Sequence, residues 1–145
     1  MTAASPIRCL SPCPAYEGLY FQGVGANLRA EEYRFEAQSY NKEMIVATPQ
    51  LSDWSETSAN QAVALTEYLL SHCNIHPEKA YLHKLSGGEE TGSLVMGKRP
   101  ELYAAYLAKS TRWDGDLEVL EQVRTPVYLW IVLQDWPHGF GGEGG

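Results

Sequence analysis

Ser86 lies in the stretch of sequence whose residue types and spacing best fit a chemical role. The apolar residues 80–82 are typical of a buried strand, and they give way to Ser86-Gly87-Gly88 and then to residues that favour a helix. A serine at a sharp strand-to-helix turn projects its hydroxyl from the edge of a sheet, as in the motif Gly-x-Ser-x-Gly. Gly88 supplies the second glycine of that motif, whereas Lys84 replaces the first. The pattern predicts either a nucleophilic serine or a serine that caps the following helix.

Other polar or flexible residues also come after segments that are predicted to be strands, namely Gly23-Val24, Asp53 and Asp135. The loops that follow parallel strands collect at the carboxyl ends of those strands, where the sites of α/β proteins lie. We therefore expect these residues to share one edge of a sheet with Ser86. Asp135 and Asp53 are alternatively carboxylates that end a strand or cap a helix without a chemical role.

The elements that must position this edge alternate between strand and helix. Strand patterns occur at residues 19–23, 44–48, 80–82 and 127–133, and the last of these is the longest apolar run and predicts a central strand. Residues 102–107 suit either a helix or a strand, and we expect a strand at residues 104–108. Helix patterns occur at residues 27–40, 58–73, 88–96 and 116–122, with Ser58 and Gln61 as a capping box. Such alternation predicts an α/β fold, a three-layer αβα sandwich with a mostly parallel central sheet.

The length of 145 residues favours a single domain. Residues 1–18 contain three prolines without strand or helix periodicity and predict a loose leader, residues 19–136 form the domain, and residues 137–145 predict a Gly-rich flexible tail. The N-terminus lacks the basic and apolar regions of a signal peptide, which predicts a cytoplasmic location.

Composition narrows the class of protein. A net charge of −7 argues against a nucleic-acid partner, and no apolar run has the length of about 18–20 residues that crosses a bilayer. Cys9, Cys13 and Cys73 have no zinc-like spacing and predict free thiols. His72, His76 and His83 form no metal-ligand pattern, so neither a metal nor another cofactor is predicted.

Several stretches together resemble the α/β-hydrolases of the esterase and prolyl-oligopeptidase-like group. The resemblance extends from about residue 19 to residue 135 and is carried by six segments. Residues 21–25 are similar to the family's oxyanion loop, residues 45–54 to its fourth strand and the loop that follows, and residues 74–82 to the lead-in to the nucleophile. Residues 86–88 are similar to the nucleophile elbow, residues 99–105 to the segment after the nucleophile helix, and residues 125–135 to the seventh strand.

The resemblance implies a serine hydrolase that acts on small carboxylic esters or, less readily, on peptides. Ser86 is then the nucleophile and Asp135 the acid that orients a histidine, while the backbone N–H groups of Gly87 and Val24 form the oxyanion hole. His138 is the only histidine after Asp135, and it stands closer to that acid than the family's histidine does. The fold is accordingly expected to be a partial α/β-hydrolase fold.

The departures from the family support an alternative function. Lys84 replaces an elbow glycine, Gln22 replaces the histidine of the oxyanion loop, and the strands that precede the third family strand are not recognisable. The alternative is a non-catalytic hydrolase remnant that acts as a binding or oligomerising module. An exposed sheet edge left by missing outer strands favours homo-oligomers.

Overall fold

The computed structural model describes residues 7–13, 38–85, 88–109, 113 and 115–130. Within them a single sheet contains five parallel strands in the order β2-β1-β3-β4-β5. The strands are β1 (Ile7–Cys13), β2 (Met44–Val46), β3 (Ile75–Leu85), β4 (Ala105–Lys109) and β5 (Val127–Trp130).

Helices connect the strands and cover the sheet. Helix α1 (Glu56–His72) joins β2 to β3, α2 (Gly88–Lys98) joins β3 to β4, and α3 (Leu117–Val123) joins β4 to β5. These three connections run in one direction across the sheet, so right-handed crossovers place their helices on one face. The chain crosses from β1 to β2 in the opposite direction, and residues 38–40, which precede β2, are helical. The architecture is therefore α/β, an αβα sandwich around a parallel sheet, as the sequence predicted.

The strand β1 corrects one sequence-based expectation. Residues 1–18 were expected to form a loose leader, but Ile7–Cys13 form an inner strand that pairs with β2 on one side and β3 on the other. This strand was not predicted mainly because of Pro12. Proline has no N–H group to donate to a neighbouring strand and seldom occurs in inner strands. The predicted strand at residues 19–23, the tail from residue 137 and most of the predicted helix at residues 27–40 lie outside the described residues.

Strand β3 is longer than the predicted residues 80–82 because it also includes the segment around Pro77. The register explains how a proline is tolerated there. Ile7 pairs with Ile75 and Cys9 with Ala80, so one residue of β1 spans four residues of β3 at an irregularity in the ladder. Pro77 falls within this irregularity, where a missing N–H removes no regular ladder bond.

Helix α1 begins three residues earlier than predicted. Ser55 is its N-cap and accepts a hydrogen bond from the Thr57 N–H at 3.4 Å, whereas Ser58 is fully buried in the first turn. Ala62, Leu65, Leu69 and Cys73 recur at helical spacing in the sequence, which indicates an inward face, but the buried residues of the helix are Ser58, Ala59, Ala62 and Thr66. Small residues on that face allow the helix to lie close to its neighbours.

The core fills the space between the sheet and these helices. Its largest buried side chain is that of Tyr106 on β4, which packs edge-on against the Trp113 ring with centroids 6.0 Å apart. The cluster joins two residues of α1, two of α2 and four from the strands and the segment before β4: Ala59, Ala62, Leu82, Val95, Met96, Tyr103, Tyr106 and Ala108. The core thus fixes α2, the helix that follows Ser86 in the sequence.

Strand β5 lies at the end of the described sheet, although its apolar sequence predicted a central strand. Tyr128 and Leu129 each retain 61% of their surface. Within the described residues β5 therefore pairs with β4 alone, and its prediction as a central strand stays a prediction, because an uninterrupted apolar run indicates cover without saying which part of the protein supplies it.

Candidate functional site

The order of the strands predicts a crevice at the carboxyl ends of β1 and β3. After β1 the chain turns toward β2 at one end of the sheet, and after β3 it turns toward β4 and the other end. The loops that leave two adjacent parallel strands in opposite directions leave a gap between them, and ligands of open α/β sheets bind in such gaps. The loop after β3 begins with Ser86.

The elements that flank Ser86 agree with the sequence prediction. Strand β3 ends at Leu85 and α2 begins at Gly88, so the predicted strand and helix on either side of Ser86-Gly87 are both present. Ser86 and Gly87 themselves lie outside the described residues, as do Val24, Asp135 and His138. Their roles as nucleophile, oxyanion donors, acid and base stay predictions.

The helix that follows this corner is held on several sides. Helix α2 contacts α1, α3, β1, β3 and β4. Thr91, Ser93, Val95 and Met96 are each fully buried in it. The hydroxyl of Thr91 has no hydrogen-bond partner, whereas the Ser93 hydroxyl donates to the Glu90 carbonyl at 2.9 Å. A helix fixed in this way provides a rigid support for the residues that precede it.

Asp53, which was expected to share this edge, organises the start of α1. The Ser58 hydroxyl donates to its carboxylate at 2.7 Å, and the Ser55 N–H donates to the same oxygen at 3.0 Å. The Asp53 N–H donates in turn to the Ser58 hydroxyl at 3.3 Å. The hydrogen bond from Ser58, followed by those from Ser55, lowers the pKa of the Asp53 carboxyl below its ordinary value. These contacts assign Asp53 a structural role.

Two other polar groups on the loop after β2 are buried without a partner. The Thr48 hydroxyl and the Trp54 indole nitrogen make no hydrogen bond. Because β1 separates β2 from β3, this loop leaves the sheet about 10 Å from the end of β3. An aromatic residue in a loop, such as Trp54, is expected to line a pocket or cover the core, whereas no sequence pattern marks Thr48.

Two of the three described histidines lie far from this edge. His76 lies nine positions before Leu85 on β3, which corresponds to a separation on the order of 25–30 Å along the strand. His72 ends α1 at the same distant edge, where its Nδ1 lies 2.9 Å from the Tyr68 carbonyl oxygen and its ring stacks on Tyr68. His83 is 4% exposed within β3. The chain has four histidines, so His138 is the one that remains.

A cavity of 460 Å³ lies at the opposite edge of the sheet. Its lining includes Pro77 at the start of β3, Tyr103 before β4, and Thr125 and Pro126 before β5. These residues precede their strands or lie near the amino ends of them. The cavity is therefore remote from the crevice at the carboxyl ends of β1 and β3.

The described part of the chain contains neither a cluster of metal-ligating side chains nor a helix that could cross a membrane. No group of three or more His, Cys, Asp or Glu side chains in the described ranges is arranged to hold a metal ion. None of the helices within those ranges has the length and apolar character that a membrane crossing requires.

The parallel strand order defines an α/β fold, and a solved esterase structure has a similar fold. The chain superposes on a thermostable esterase with a TM-score of 0.59 at 18% sequence identity, over 86% of this chain and 38% of the esterase. The chain thus spans well under half the length of that enzyme. No protein-family model and no curated protein matches the sequence significantly. At 18% identity the similarity establishes the fold alone, and that fold is compatible with the α/β architecture of a hydrolase.

Proposed function

We propose that the protein is a serine hydrolase that acts on small carboxylic esters at the carboxyl edge of its sheet. The observation that supports the proposal best is that β3 ends at Leu85 and α2 begins at Gly88. This strand and helix flank Ser86 beside the crevice between β1 and β3. The likeness of the fold to a thermostable esterase agrees with this chemistry.

In the proposed reaction, the Ser86 hydroxyl oxygen attacks the ester carbonyl carbon while its proton passes to His138. The N–H groups of Gly87 and Val24 stabilise the oxyanion that develops on the carbonyl oxygen. The bond between the carbonyl carbon and the alkoxy oxygen then breaks, and the alcohol leaves with the proton from the histidine. A water molecule attacks the acyl group on Ser86 in the same manner and releases the carboxylic acid.

The positions of two other histidines agree with the assignment of His138. His72 and His76 lie at the far edge of the sheet, and His83 is buried within β3. Asp135 orients the imidazole of His138 in the proposed site. Peptides are a poorer substrate class in this proposal because the amine leaving group must be protonated as its bond breaks, whereas an alkoxide leaves more readily.

The proposal is tested with a fluorophosphonate probe and p-nitrophenyl butyrate. Wild-type protein should be labelled and should hydrolyse the ester, whereas Ser86→Ala should lose the labelling and at least about 10³-fold of kcat/KM. Ser71→Ala is the matched control, because Ser71 is an exposed serine near the end of α1, at the far edge of the sheet. His138→Ala should match Ser86→Ala in kcat/KM, and His76→Ala should match the wild type.

Absence of labelling in the folded wild-type protein would contradict the proposal and favour the non-catalytic remnant. Equal activity of wild-type protein and His138→Ala would contradict only the assignment of the base. Far-UV circular dichroism on every variant separates a chemical loss from unfolding.

A further inference from the structure

Two lysines lie at the carboxyl ends of the strands next to Ser86. Lys84 is the last residue but one of β3, and Lys109 is the last residue of β4, the strand that pairs with β3. Ser86 follows β3 directly in the sequence. The hydrolysis proposed above gives neither lysine a role, although both are close to the residue that it names as the nucleophile.

The register limits how far these lysines can be from Ser86. Leu85 pairs with Lys109, and the backbones of paired strands lie about 4.8 Å apart. Consecutive Cα atoms are about 3.8 Å apart, so the Cα atom of Ser86 lies within about 9 Å of that of Lys109 and within about 8 Å of that of Lys84. A lysine side chain places its ammonium up to about 6 Å from its own Cα atom. Both lysines are therefore close enough to contact a ligand that is bound at Ser86.

The two lysines belong to opposite faces of the sheet. Lys84 pairs with Ala108, which belongs to the core that α1 and α2 cover. Because side chains alternate between the faces of a strand, Lys109 falls on the other face. An apolar core excludes an unpaired charge, so the end of β3 is the place where the charge of Lys84 can be stabilised. The lysines thus flank the sheet edge next to Ser86, one on each face.

The carboxylates whose surroundings the structure describes at this edge have other partners. Asp53 accepts hydrogen bonds from two serines at the start of α1. Asp116 caps α3 by accepting a hydrogen bond from the Glu118 N–H at 2.8 Å. Glu90 lies in the first turn of α2, where the positive end of the helix dipole stabilises an acidic side chain. None of these three carboxylates requires a lysine for its stabilisation, and two neighbouring lysines favour an anion.

We propose that Lys84 and Lys109 bind the carboxylate of an anionic ester and so determine the substrate class of the site at Ser86. The inference rests on the proposed hydrolase. The esters that fit are monoesters of a dicarboxylic acid, in which a short chain joins the ester carbonyl to a free carboxylate. Charge-assisted hydrogen bonds from the two ammonium groups hold that carboxylate while the ester carbonyl lies at Ser86. Because the chain has a net charge of −7, attraction of an anion depends on these local charges.

The proposal is tested with two esters of equal chain length, mono-p-nitrophenyl adipate, which carries a carboxylate, and p-nitrophenyl hexanoate, which does not. The wild type should have the higher kcat/KM for the adipate. Lys84→Met and Lys109→Met should each lower the ratio of the two kcat/KM values at least about threefold, whereas Lys84→Arg keeps the charge and should keep the ratio. Lys79→Met is the matched control, because Lys79 lies on β3 about 16 Å before Lys84, and it should leave the ratio unchanged.

Binding provides a second measurement, which does not depend on turnover. Isothermal titration calorimetry of Ser86→Ala with monomethyl adipate should give a dissociation constant that rises at least about threefold when Lys84→Met or Lys109→Met is added. Far-UV circular dichroism confirms that each variant is folded.

The outcomes separate this proposal from the proposed hydrolase. A kcat/KM ratio that Lys84→Met and Lys109→Met both leave unchanged would overturn the anionic substrate and leave the hydrolase intact. Lysine-dependent binding of monomethyl adipate by a protein that hydrolyses neither ester would contradict the hydrolase and support the anion site. A protein that neither hydrolyses the esters nor binds monomethyl adipate through these lysines would overturn both proposals.

Discussion

The hydroxyls of Thr66 and Tyr103 lie 2.9 Å apart in the core and join helix α1 to the segment that leads into β4. Thr66 and Tyr103 retain only 3% and 4% of their surface. The Thr66 hydroxyl also lies 2.9 Å from the Ala62 carbonyl, to which it donates its single proton. Tyr103 must therefore be the donor to Thr66. This direction matters for every substitution at the pair.

Tyr103→Phe should lower the free energy of unfolding by about 1 kcal/mol. The substitution removes the donated hydrogen bond but leaves the ring in the core, and Thr66 keeps its bond to Ala62. Urea unfolding followed by circular dichroism measures the difference. Tyr40→Phe is the control, since its hydroxyl is on a residue that is 90% exposed, and a loss of the same size in that variant would contradict the explanation.

Substitution of threonine by valine should have opposite effects at two buried positions. Thr91 on α2 is fully buried and its hydroxyl has no partner, so Thr91→Val should raise the free energy of unfolding by about 1 kcal/mol. Thr66→Val should lower it by about 1–3 kcal/mol, because that hydroxyl bonds to Ala62 and Tyr103. Chemical unfolding of both variants under the same conditions measures the two changes in the free energy of unfolding. Effects of the same sign would contradict the assigned hydrogen bonding.

Gly115 and Gly97 mark the place where the turn before α3 touches α2. A Cβ atom on Gly115 would lie 2.0 Å from the Ser93 carbonyl oxygen, and one on Gly97 would lie 2.8 Å from the Asp116 nitrogen. Gly97 was expected to end the helix, but α2 continues to Lys98, and the glycine instead allows this close approach.

Gly115→Ala should therefore lower the free energy of unfolding by at least about 2 kcal/mol, since backbone must move to admit the methyl group. Gly97→Ala should cost less, because its contact is longer and alanine favours the helix by about 0.5–1 kcal/mol. Thermal unfolding of the two variants ranks them. A Gly115→Ala protein as stable as the wild type would show that α2 and the turn are further apart.

The fold was largely predictable because its signals are local. The apolar residues of β2, β4 and β5 and the capping residue Asp116 are found within single elements. Strand β1 was missed because its pairing partners are distant in the sequence, and proline masks its local pattern. The start of α1 was misplaced because Ser55 and Ser58 are equally good caps in the sequence, and the contact of Ser58 with Asp53 decides between them.

The candidate site was predictable only in part. The strand and helix on either side of Ser86 followed from periodicity and the glycines. The crevice beside it depends on the order of the strands, which pairs β1 with both β2 and β3. No local pattern encodes that order. The place of β5 at the end of the described sheet also required the structure, because the same apolar run would suit a central strand.

The contact between Asp53 and Ser58 should make stability depend on pH. Hydrogen bonds from Ser58 and Ser55 hold the pKa of Asp53 below its ordinary value of 3.8, so the ionised form is favoured in the folded protein. The resulting stabilisation is complete above that ordinary value and is lost as the pH falls through the lower pKa of the folded state. Asp53→Asn keeps an acceptor oxygen but removes the charge.

The wild type should accordingly be more stable than Asp53→Asn between pH 5 and 7, and the difference should shrink progressively as the pH falls below 3.8. The midpoint of thermal unfolding, measured from pH 2.5 to 7, follows this difference. Ser58→Ala removes the donor that contributes most to the shift, so Asp53→Asn in that background should show a smaller dependence on pH. A difference that stays constant across the whole range would mean that the Asp53 charge does not stabilise the start of α1.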